Sequence, residues 1–281
     1  MSEPAIHVFS HHAMATYFQV RLAGEERDYA AQAARTAFDL LDHLEALLSR
    51  FRENSEISQT AQLGVGESLR LSEPTFSCLQ IAHAMEQATQ RAFCISPIAR
   101  QTQPELPHWS LVPAELSIRC DSGKLEFDLG AIGKGFALDR MAEELSDWGC
   151  GSFLLVAGGS SILAGAPPVG TNGWSSGLGD DNSPQRYLLA NCSLSGSGMA
   201  AQGEHIFDPR TGLPAPRRER TWAIANTAAE SDALSTACMV LSETEIAGCL
   251  TGHADWLAIV TDGQAFRSYG NRPWLLTRRS D

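Results

Sequence analysis

Residues 127–140 read Phe-Asp-Leu-Gly-Ala-Ile-Gly-Lys-Gly-Phe-Ala-Leu-Asp-Arg, and this stretch decides most of what the sequence says about the fold. A carboxylate, Asp128, ends an apolar run typical of a strand, and a glycine-rich turn follows before a helix begins. Glycine lets a backbone come close to a ligand, and a helix start offers unpaired N–H groups and a positive dipole end. The stretch therefore predicts a phosphate or nucleotide site, with Lys134 in the turn.

This turn matches neither of the common nucleotide-binding loops. A P-loop has Ser or Thr after its lysine, where this chain has Gly135, and the glycine spacing also differs from the dinucleotide fingerprint. Taken alone, the stretch has a plainer explanation, a glycine-rich connection from strand to helix with a solvated lysine. The prediction of a binding site therefore depends on two further segments.

The first of these segments runs from Glu204 to Gly212 and contains His205 followed by Asp-Pro-Arg-Thr-Gly. Asp, Pro and Gly in this order are typical of a turn. Histidine titrates near neutral pH and can take a proton from a hydroxyl, so His205 is the candidate general base. The alternative is a histidine that only bonds a backbone carbonyl or Asp208.

The second segment, residues 229–237, is predicted to begin a helix. If Ser231 caps that helix, Asp232 lies in its first turn, and Ser235 and Thr236 share its face. One carboxylate with hydroxyl oxygens suits Mg²⁺, with phosphates completing the ligand shell. The alternative is a purely structural role, in which the acidic side chain interacts favourably with the helix dipole and the small residues pack inward.

Bulk composition excludes some partners. The chain has 281 residues, 43% of them hydrophobic, and a formal net charge of −12. Nucleic acid and anionic membranes attract positive charge, so neither is expected as the main partner. The seven cysteines include no C-x-x-C pair, which favours free thiols in a reducing compartment. We find no secretory signal, membrane anchor or spanning helix, and expect a cytoplasmic protein.

Strand and helix patterns are mixed, without regular β-α alternation, and this favours an α+β architecture. We expect one domain over residues 1–281, with any subdomain break around residues 96–114, where Ser96–Pro113 carries four prolines and no clear period. Two hairpins are predicted, each pairing segments close in sequence: Leu116–Arg119 with Lys124–Asp128, and Tyr187–Leu189 with Ser193–Ser195. Predicted helices include Arg27–Phe51, Glu73–Phe93, a helix from the glycine turn to Trp148, and Asp232–Leu241.

Five segments, in this order, resemble the ApbE-type FAD:protein FMN transferases. The three most specific are Asp128–Asp139, which is similar to D-L-G-[AG]-I-[AG]-K-G-[YF]-A-x-D, His205–Gly212, which is similar to H-I-[IVF]-D-P-[RT]-T-G, and Asp232–Thr236, which is similar to D-A-[LW]-[SD]-T. Met14–Phe18 resembles the family's M-G-T-x-F strand, and Leu48–Ser58 its S-x-[YW]-x-x-x-S-x-[IL]-S element. The match covers most of the chain.

The resemblance implies an ApbE-like fold with two intimately packed halves, mostly antiparallel sheets flanked by helices, and a FAD pocket between them. It implies that Asp128 and Lys134 contact FAD, and it assigns further FAD contacts to Met14, Phe51, Phe93 and Ile206. A magnesium ion would be held by the carbonyl of Ala131 together with Asp232, Ser235 and Thr236.

The implied reaction is Mg²⁺-dependent transfer of FMN from FAD to a Thr or Ser hydroxyl of a target protein, with release of AMP. FAD is then a substrate, the flavin-accepting protein is the partner, and His205 stands at the position of the base. Two alternatives stay open: a Mg²⁺-dependent FAD pyrophosphatase that uses water instead of the hydroxyl, and a FAD-binding protein without turnover.

The chain departs from the family pattern in three places. Relatives have G-G-D where this chain reads Gly158-Gly159-Ser160-Ser161, and the usual A-F-D-P-T stretch is reduced to Ala92–Pro97. Ser235 also replaces an acid found in some relatives, which leaves fewer negative ligands for a metal.

Overall fold

The computed structural model describes residues 5–96, 105–178, 185–198, 207–213, 215 and 218–270. The helices in these ranges are α1 (Arg27–Leu48), α2 (Glu56–Thr60), α3 (Glu73–Ala88), α4 (Gly133–Asp147), α5 (Ala228–Val240) and α6 (Glu243–Leu250), with a 3₁₀ turn at Pro113–Glu115. The strands are β1 (Ile6–Ala13), β2 (Thr16–Ala23), β3 (Ser68–Arg70), β4 (His108–Val112), β5 (Ser117–Ser122), β6 (Phe153–Ala157), β7 (Ser161–Ala164), β8 (Trp174–Leu178), β9 (Gln185–Leu189), β10 (Cys192–Gly198), β11 (Arg220–Ala225), β12 (Leu257–Thr261) and β13 (Phe266–Tyr269).

An eight-stranded sheet in the order β1-β2-β6-β7-β10-β11-β12-β13 organises the molecule, and its neighbouring strands all pair antiparallel. Side chains alternate across each strand. Leu194 and Ile224 therefore join a small core under the β8–β9 hairpin, whereas Ala223 and Ala225 join the main core with the helices. Mixed helices and antiparallel sheets confirm the predicted α+β class.

Small side chains bring helix α5 close to the sheet. Ser193 and Ser195 of β10 face this helix: Ser195 Oγ lies 2.8 Å from Ser231 Oγ, and Ser193 Oγ donates to the carbonyl of Thr227 at 2.6 Å. Helices α1 and α4 pack against each other, and α4 packs against α5. The start of α4 and the start of α5 therefore meet above the middle of the sheet.

Both predicted hairpins are wrong in their pairing. Strand β5 pairs with β3 and β4 in a separate three-stranded sheet, and Lys124–Asp128 forms no strand. Strand β9 pairs with β8, while β10 lies between β7 and β11. Strand pairing depends on which neighbouring strands bury the apolar side chains, and the short turns on which the predictions relied do not show this.

Three further boundaries differ from expectation. Helix α1 ends at Leu48 and α3 ends at Ala88, both short of the predicted Phe51 and Phe93. The proline-rich segment contains a strand, β4, so it is more than a linker. The single domain over residues 1–281 stays a prediction.

The start of helix α5 also needs correction, because Thr227 and not Ser231 is its N-cap. The Thr227 side chain accepts from the N–H of Glu230. The carboxylate of Asp139, from α4, accepts from the N–H groups of Ala228 and Ala229 at 2.7 and 2.8 Å. A side chain distant in sequence thus satisfies the free donors of this helix start, and Asp232 lies one turn inside the helix.

Candidate functional site

The glycine turn joins residue 128 to the first turn of α4. Asp128 is fixed by its own N–H, which donates to the carbonyl of Ile95 at 2.7 Å, and its Oδ1 accepts from the N–H of Gly130 at 2.9 Å. Lys134 Nζ donates to the carbonyl of Gly130 at 3.2 Å. Ile132, the N-cap of α4, offers no side-chain cap. The helix start therefore presents a lysine and the positive end of the helix dipole, an arrangement that suits a phosphate.

Helices α4 and α5 touch backbone to backbone at Gly135. A Cβ at this position would overlap the carbonyl oxygen of Ala228, so only glycine permits the approach. The N–H of Gly135 donates to Asp232 Oδ2 at 2.7 Å. The turn and the acidic residue at position 232, which are 97 residues apart in sequence, are therefore in direct contact.

Asp232 is a buried carboxylate with polar neighbours. Its side chain is only 5% exposed, and its Oδ1 accepts from the hydroxyl of Ser161 at 2.6 Å. Among the described residues, no lysine, arginine or histidine forms an ion pair with Asp232. A buried charge normally has a partner of opposite charge, so this environment favours a bound cation.

Hydroxyl oxygens gather one turn further along α5. Ser197 Oγ, near the end of β10, lies 2.9 Å from Ser235 Oγ and 3.2 Å from Thr236 Oγ1. Ser235 also donates to the carbonyl of Asp232 at 2.9 Å. The structure thus brings together Asp232, Ser235 and Thr236, and it adds Ser197, which the sequence analysis missed.

These oxygens have the chemistry that Mg²⁺ prefers, namely carboxylate and hydroxyl ligands. Ala131 is half-buried in the turn just before α4, so its carbonyl belongs to the same region of the molecule. In the described part of the chain there is no group of three or more His, Cys, Asp and Glu side chains that could hold a metal. The expected donor set contains only one such side chain, Asp232, and the residues present fit a magnesium ion.

A cavity of about 400 Å³ opens beside the glycine turn. Met14, Phe51, Asp128 and Lys134 all line it, so four of the residues expected to contact FAD share one cavity. Its other lining residues, which the sequence analysis did not single out as ligand contacts, are Ala15, Glu45, Leu48, Ser49, Arg50, Arg52, Leu129, Gly130 and Gly133.

The outer wall of this cavity is formed by Arg50 and Phe51. Phe51 is 82% exposed, and the guanidinium of Arg50 lies 4.4 Å from the centre of its ring. Arg50 Nε also lies 3.3 Å from Asp128 Oδ2. An exposed aromatic ring at the mouth of a cavity suits stacking on a planar ligand.

One expected FAD contact does not line the cavity, and two further predicted site residues lie outside the described residues. Phe93 has a fully buried side chain within the main core, so it packs against protein and does not line the cavity. His205 and Ile206 lie outside the described residues. The turn that follows them is described: Asp208 accepts from the backbone and guanidinium of Arg210, and Arg210 also reaches Glu245 at 2.8 Å.

The seven cysteines fit the expectation of free thiols, because none of them forms a disulfide and six are buried. Burial raises the pKa of Cys78 and of Cys238 to about 12, so these thiols stay protonated and act as apolar core groups. In the described ranges, every helix is too short or too polar to cross a membrane.

Taken together, the α+β fold contains a glycine-rich helix start beside an aromatic-edged cavity, and a buried carboxylate that has no ion-pair partner among the described residues. The chemistry of this site suits a phosphate-containing ligand. The model of the ApbE family matches residues 14–260. The chain therefore belongs to the ApbE family, as its motifs indicate.

Individual relatives agree with this assignment. The chain is 22% identical over 250 residues to a FAD:protein FMN transferase from Klebsiella pneumoniae, which covers 76% of this chain and 75% of the relative. It is 22% identical over 305 residues to a FAD:protein FMN transferase from Vibrio cholerae, which covers 93% of this chain and 90% of the relative. These relatives are enzymes, as the sequence analysis expected of this chain.

Solved structures show the same fold. The flavin transferase ApbE from Vibrio cholerae matches with a TM-score of 0.81 at 19% identity, over 96% of this chain and 98% of that chain. The apo form of the flavinyl transferase ApbE from Pseudomonas stutzeri matches with a TM-score of 0.80 at 18% identity, over 95% of each chain. The predicted ApbE-like fold is confirmed.

Proposed function

We propose that this protein is a Mg²⁺-dependent FAD:protein FMN transferase. It moves FMN from FAD to a Thr or Ser hydroxyl of a target protein and releases AMP. The observation that carries the proposal is the contact between Gly135 and Asp232. It joins the helix start suited to a diphosphate to a buried carboxylate that has no counter-ion among the described residues. The names of the relatives from Klebsiella pneumoniae and Vibrio cholerae supply the substrate and the group transferred.

The proposed FAD site uses the cavity and the first turn of α4. Met14 and Phe51 supply apolar surface for a planar ring, while Lys134 and the positive end of the α4 dipole suit the diphosphate. Phe93 has no part in this proposal because its side chain is buried in the core.

The proposed metal site consists of Asp232, Ser235, Thr236 and the carbonyl of Ala131. Gly135 and Ser161 hold the Asp232 carboxylate from two sides, which fixes its direction before a metal binds. When bound, Mg²⁺ would neutralise charge on the diphosphate during phosphoryl transfer.

In the proposed reaction, the acceptor hydroxyl forms a P–O bond at the FMN-side phosphorus, and the P–O bond to AMP breaks. His205, which lies outside the described residues, remains our proposed base for the hydroxyl proton. A His205→Ala variant should keep FAD affinity but lose transfer, and unchanged transfer would remove this residue from the mechanism.

A cytoplasmic location and a cytoplasmic target protein belong to the same proposal. Seven cysteines that form no disulfide fit a reducing compartment. The net charge of −12 fits a protein target and not a nucleic acid.

A mass measurement tests the proposed function. The protein is mixed with FAD, Mg²⁺ and a flavin-accepting domain, and the relative from Vibrio cholerae serves as the positive control that validates that domain. We expect the acceptor mass to rise by one FMN phosphoester, and the rise to disappear with a chelator. Release of FMN and AMP at the same rate without an acceptor would instead identify a pyrophosphatase. FAD binding without either product would identify a binding protein.

A further inference from the structure

Ser161 is a buried hydroxyl that points at the carboxylate of Asp232. It begins strand β7, it is fully buried, and it lies two residues after the glycine pair Gly158-Gly159. Its Oγ lies 2.6 Å from Asp232 Oδ1, which makes it a close contact of the candidate metal-binding carboxylate.

The direction of this hydrogen bond follows from the chemistry of the two groups. An ionised carboxylate can only accept, so Ser161 donates its proton to Asp232. The Ser161 oxygen can then accept from Ser160 Oγ, which lies 3.2 Å away. The carbonyl of Ser160 in turn accepts from the N–H of Gly196 at 2.7 Å, so the pair is fixed to the neighbouring strand β10.

The two Asp232 oxygens are therefore held by donors from different elements, Ser161 on β7 and the N–H of Gly135 on α4. Each carboxylate oxygen keeps one further lone-pair site for a cation. Two donors fix both the position and the plane of the carboxylate, as partners of metal ligands do in other metal sites.

We propose that Ser161 is a positioning residue that holds Asp232 in the orientation needed to bind the divalent cation. This inference rests on the proposed function, since it requires that Asp232 is a metal ligand. Ser161 itself does not contact the substrate or the metal.

Ser193 offers a matched control. It is also a fully buried serine on a strand of the same sheet, and its hydroxyl bonds the carbonyls of Ala225 and Thr227 at 3.0 and 2.6 Å. It makes no hydrogen bond to Asp232, so Ser193→Ala removes a comparable buried hydroxyl without touching the carboxylate.

The test measures Mn²⁺ binding by electron paramagnetic resonance of the free ion, on the full chain with FAD present and no acceptor. Mn²⁺ takes the same oxygen ligands as Mg²⁺. We expect wild type to bind Mn²⁺, Ser161→Ala to raise the Mn²⁺ dissociation constant about tenfold, and Ser193→Ala to leave it within about twofold. Urea unfolding of both variants measures any loss of stability separately.

The possible outcomes separate the positioning role of Ser161 from the metal site itself. Equal Mn²⁺ affinity of wild type and Ser161→Ala, or equal weakening by both alanine variants, would overturn the positioning role while leaving the metal site in place. Absence of Mn²⁺ binding by wild type would overturn the metal part of the proposed function and this inference with it. If Ser161→Ala does not fold, Ser161→Cys keeps the shape with a weaker donor, and it should still weaken Mn²⁺ binding relative to wild type.

Discussion

The junction between α4 and α5 and the outer wall of the cavity are built in opposite ways. At the junction, the carboxylates of Asp139 and Asp232 accept from backbone N–H groups at 2.7–2.8 Å, and Asp232 is only 5% exposed. At the wall, Phe51 is 82% exposed and Arg50 touches Asp128 only through one ion pair at 3.3 Å. One region is fixed by packing, and the other is free to adapt.

This difference matches the proposed roles of the two regions, metal binding at the junction and ring stacking at the wall. Metal ligands must be held within fractions of an ångström, because a small displacement costs much of the stabilisation of the transition state. A planar ring can be stacked in several ways at similar free energy. Changes at the junction should therefore alter stability or catalysis strongly, whereas changes at the wall should alter FAD affinity alone.

The largest effect is expected for Asp232→Asn. The amide removes the negative charge and turns an N–H₂ group towards one of the two donors, so metal binding is lost and FMN transfer falls at least about 100-fold, in line with the several kcal/mol that a metal supplies. Transfer is measured by acceptor mass over time. Glu230→Gln, the same charge change in the first turn of the same helix, is the control and should keep the wild-type rate. A similar loss in both variants would assign the effect to general electrostatics.

Gly135→Ala should disrupt the contact between α4 and α5 by a steric clash. Its Cβ would overlap the carbonyl of Ala228, so α4 and α5 must separate, and the free energy of unfolding should fall by about 2–3 kcal/mol. Gly133→Ala is the control, because its Cβ would lie 3.6 Å from the Leu129 Cβ, an ordinary contact. Urea unfolding compares the two, and equal stability would mean that the close approach is not required.

Asp139 predicts a pH dependence of the junction. Burial raises the pKa of Asp139 from 3.8 to about 7, although the N–H groups of Ala228 and Ala229 act in the opposite direction. A raised pKa in the folded state gives stability that is present at low pH and lost as pH rises through about 7. The neutral Asp139→Asn variant avoids this loss.

The unfolding free energy of Asp139→Asn relative to wild type should therefore rise between about pH 4.5 and about pH 8, by at least about 1.4 kcal/mol, the equivalent of one pKa unit. Urea unfolding without metal at several pH values measures it. A difference that falls with pH would mean that the two N–H donors outweigh burial and keep this carboxylate charged.

The smallest effect is expected at the wall. Phe51→Ala should weaken FAD binding about five- to tenfold through lost stacking, with unchanged unfolding because the ring is exposed. Phe266→Ala, a half-exposed ring stacked on Trp222 outside the cavity, should leave FAD affinity unchanged. Flavin fluorescence titration measures both. A loss of stability in Phe51→Ala would contradict the claim that the wall affects FAD affinity alone.

The sequence predicts the parts of the site that its local motifs carry. The glycine turn, the helix after it and the candidate residues Asp128, Lys134 and Asp232 follow from short patterns with a physical meaning. Met14 and Phe51 follow from resemblance alone, and the structure brings them to the same cavity.

The parts that depend on distant partners could not be predicted. The start of α5 was misplaced because Asp139, almost 90 residues earlier, satisfies the N–H groups of Ala228 and Ala229. Both hairpins were wrong because other strands take the predicted places: β5 pairs with β3 and β4, and β9 pairs with β8. The only sequence signal for Ser161 is a serine pair after two glycines. This pattern does not show that Ser161 contacts Asp232, because that contact depends on the fold.

The most direct test of the account is anomalous diffraction from crystals grown with Mn²⁺ and FAD. We expect one strong anomalous peak about 2.1–2.3 Å from a carboxylate oxygen of Asp232, with the FAD diphosphate as a further ligand beside the first turn of α4. A peak bound elsewhere, or a diphosphate distant from both Asp232 and Lys134, would contradict the claim that the glycine turn and α5 together hold the metal and the diphosphate.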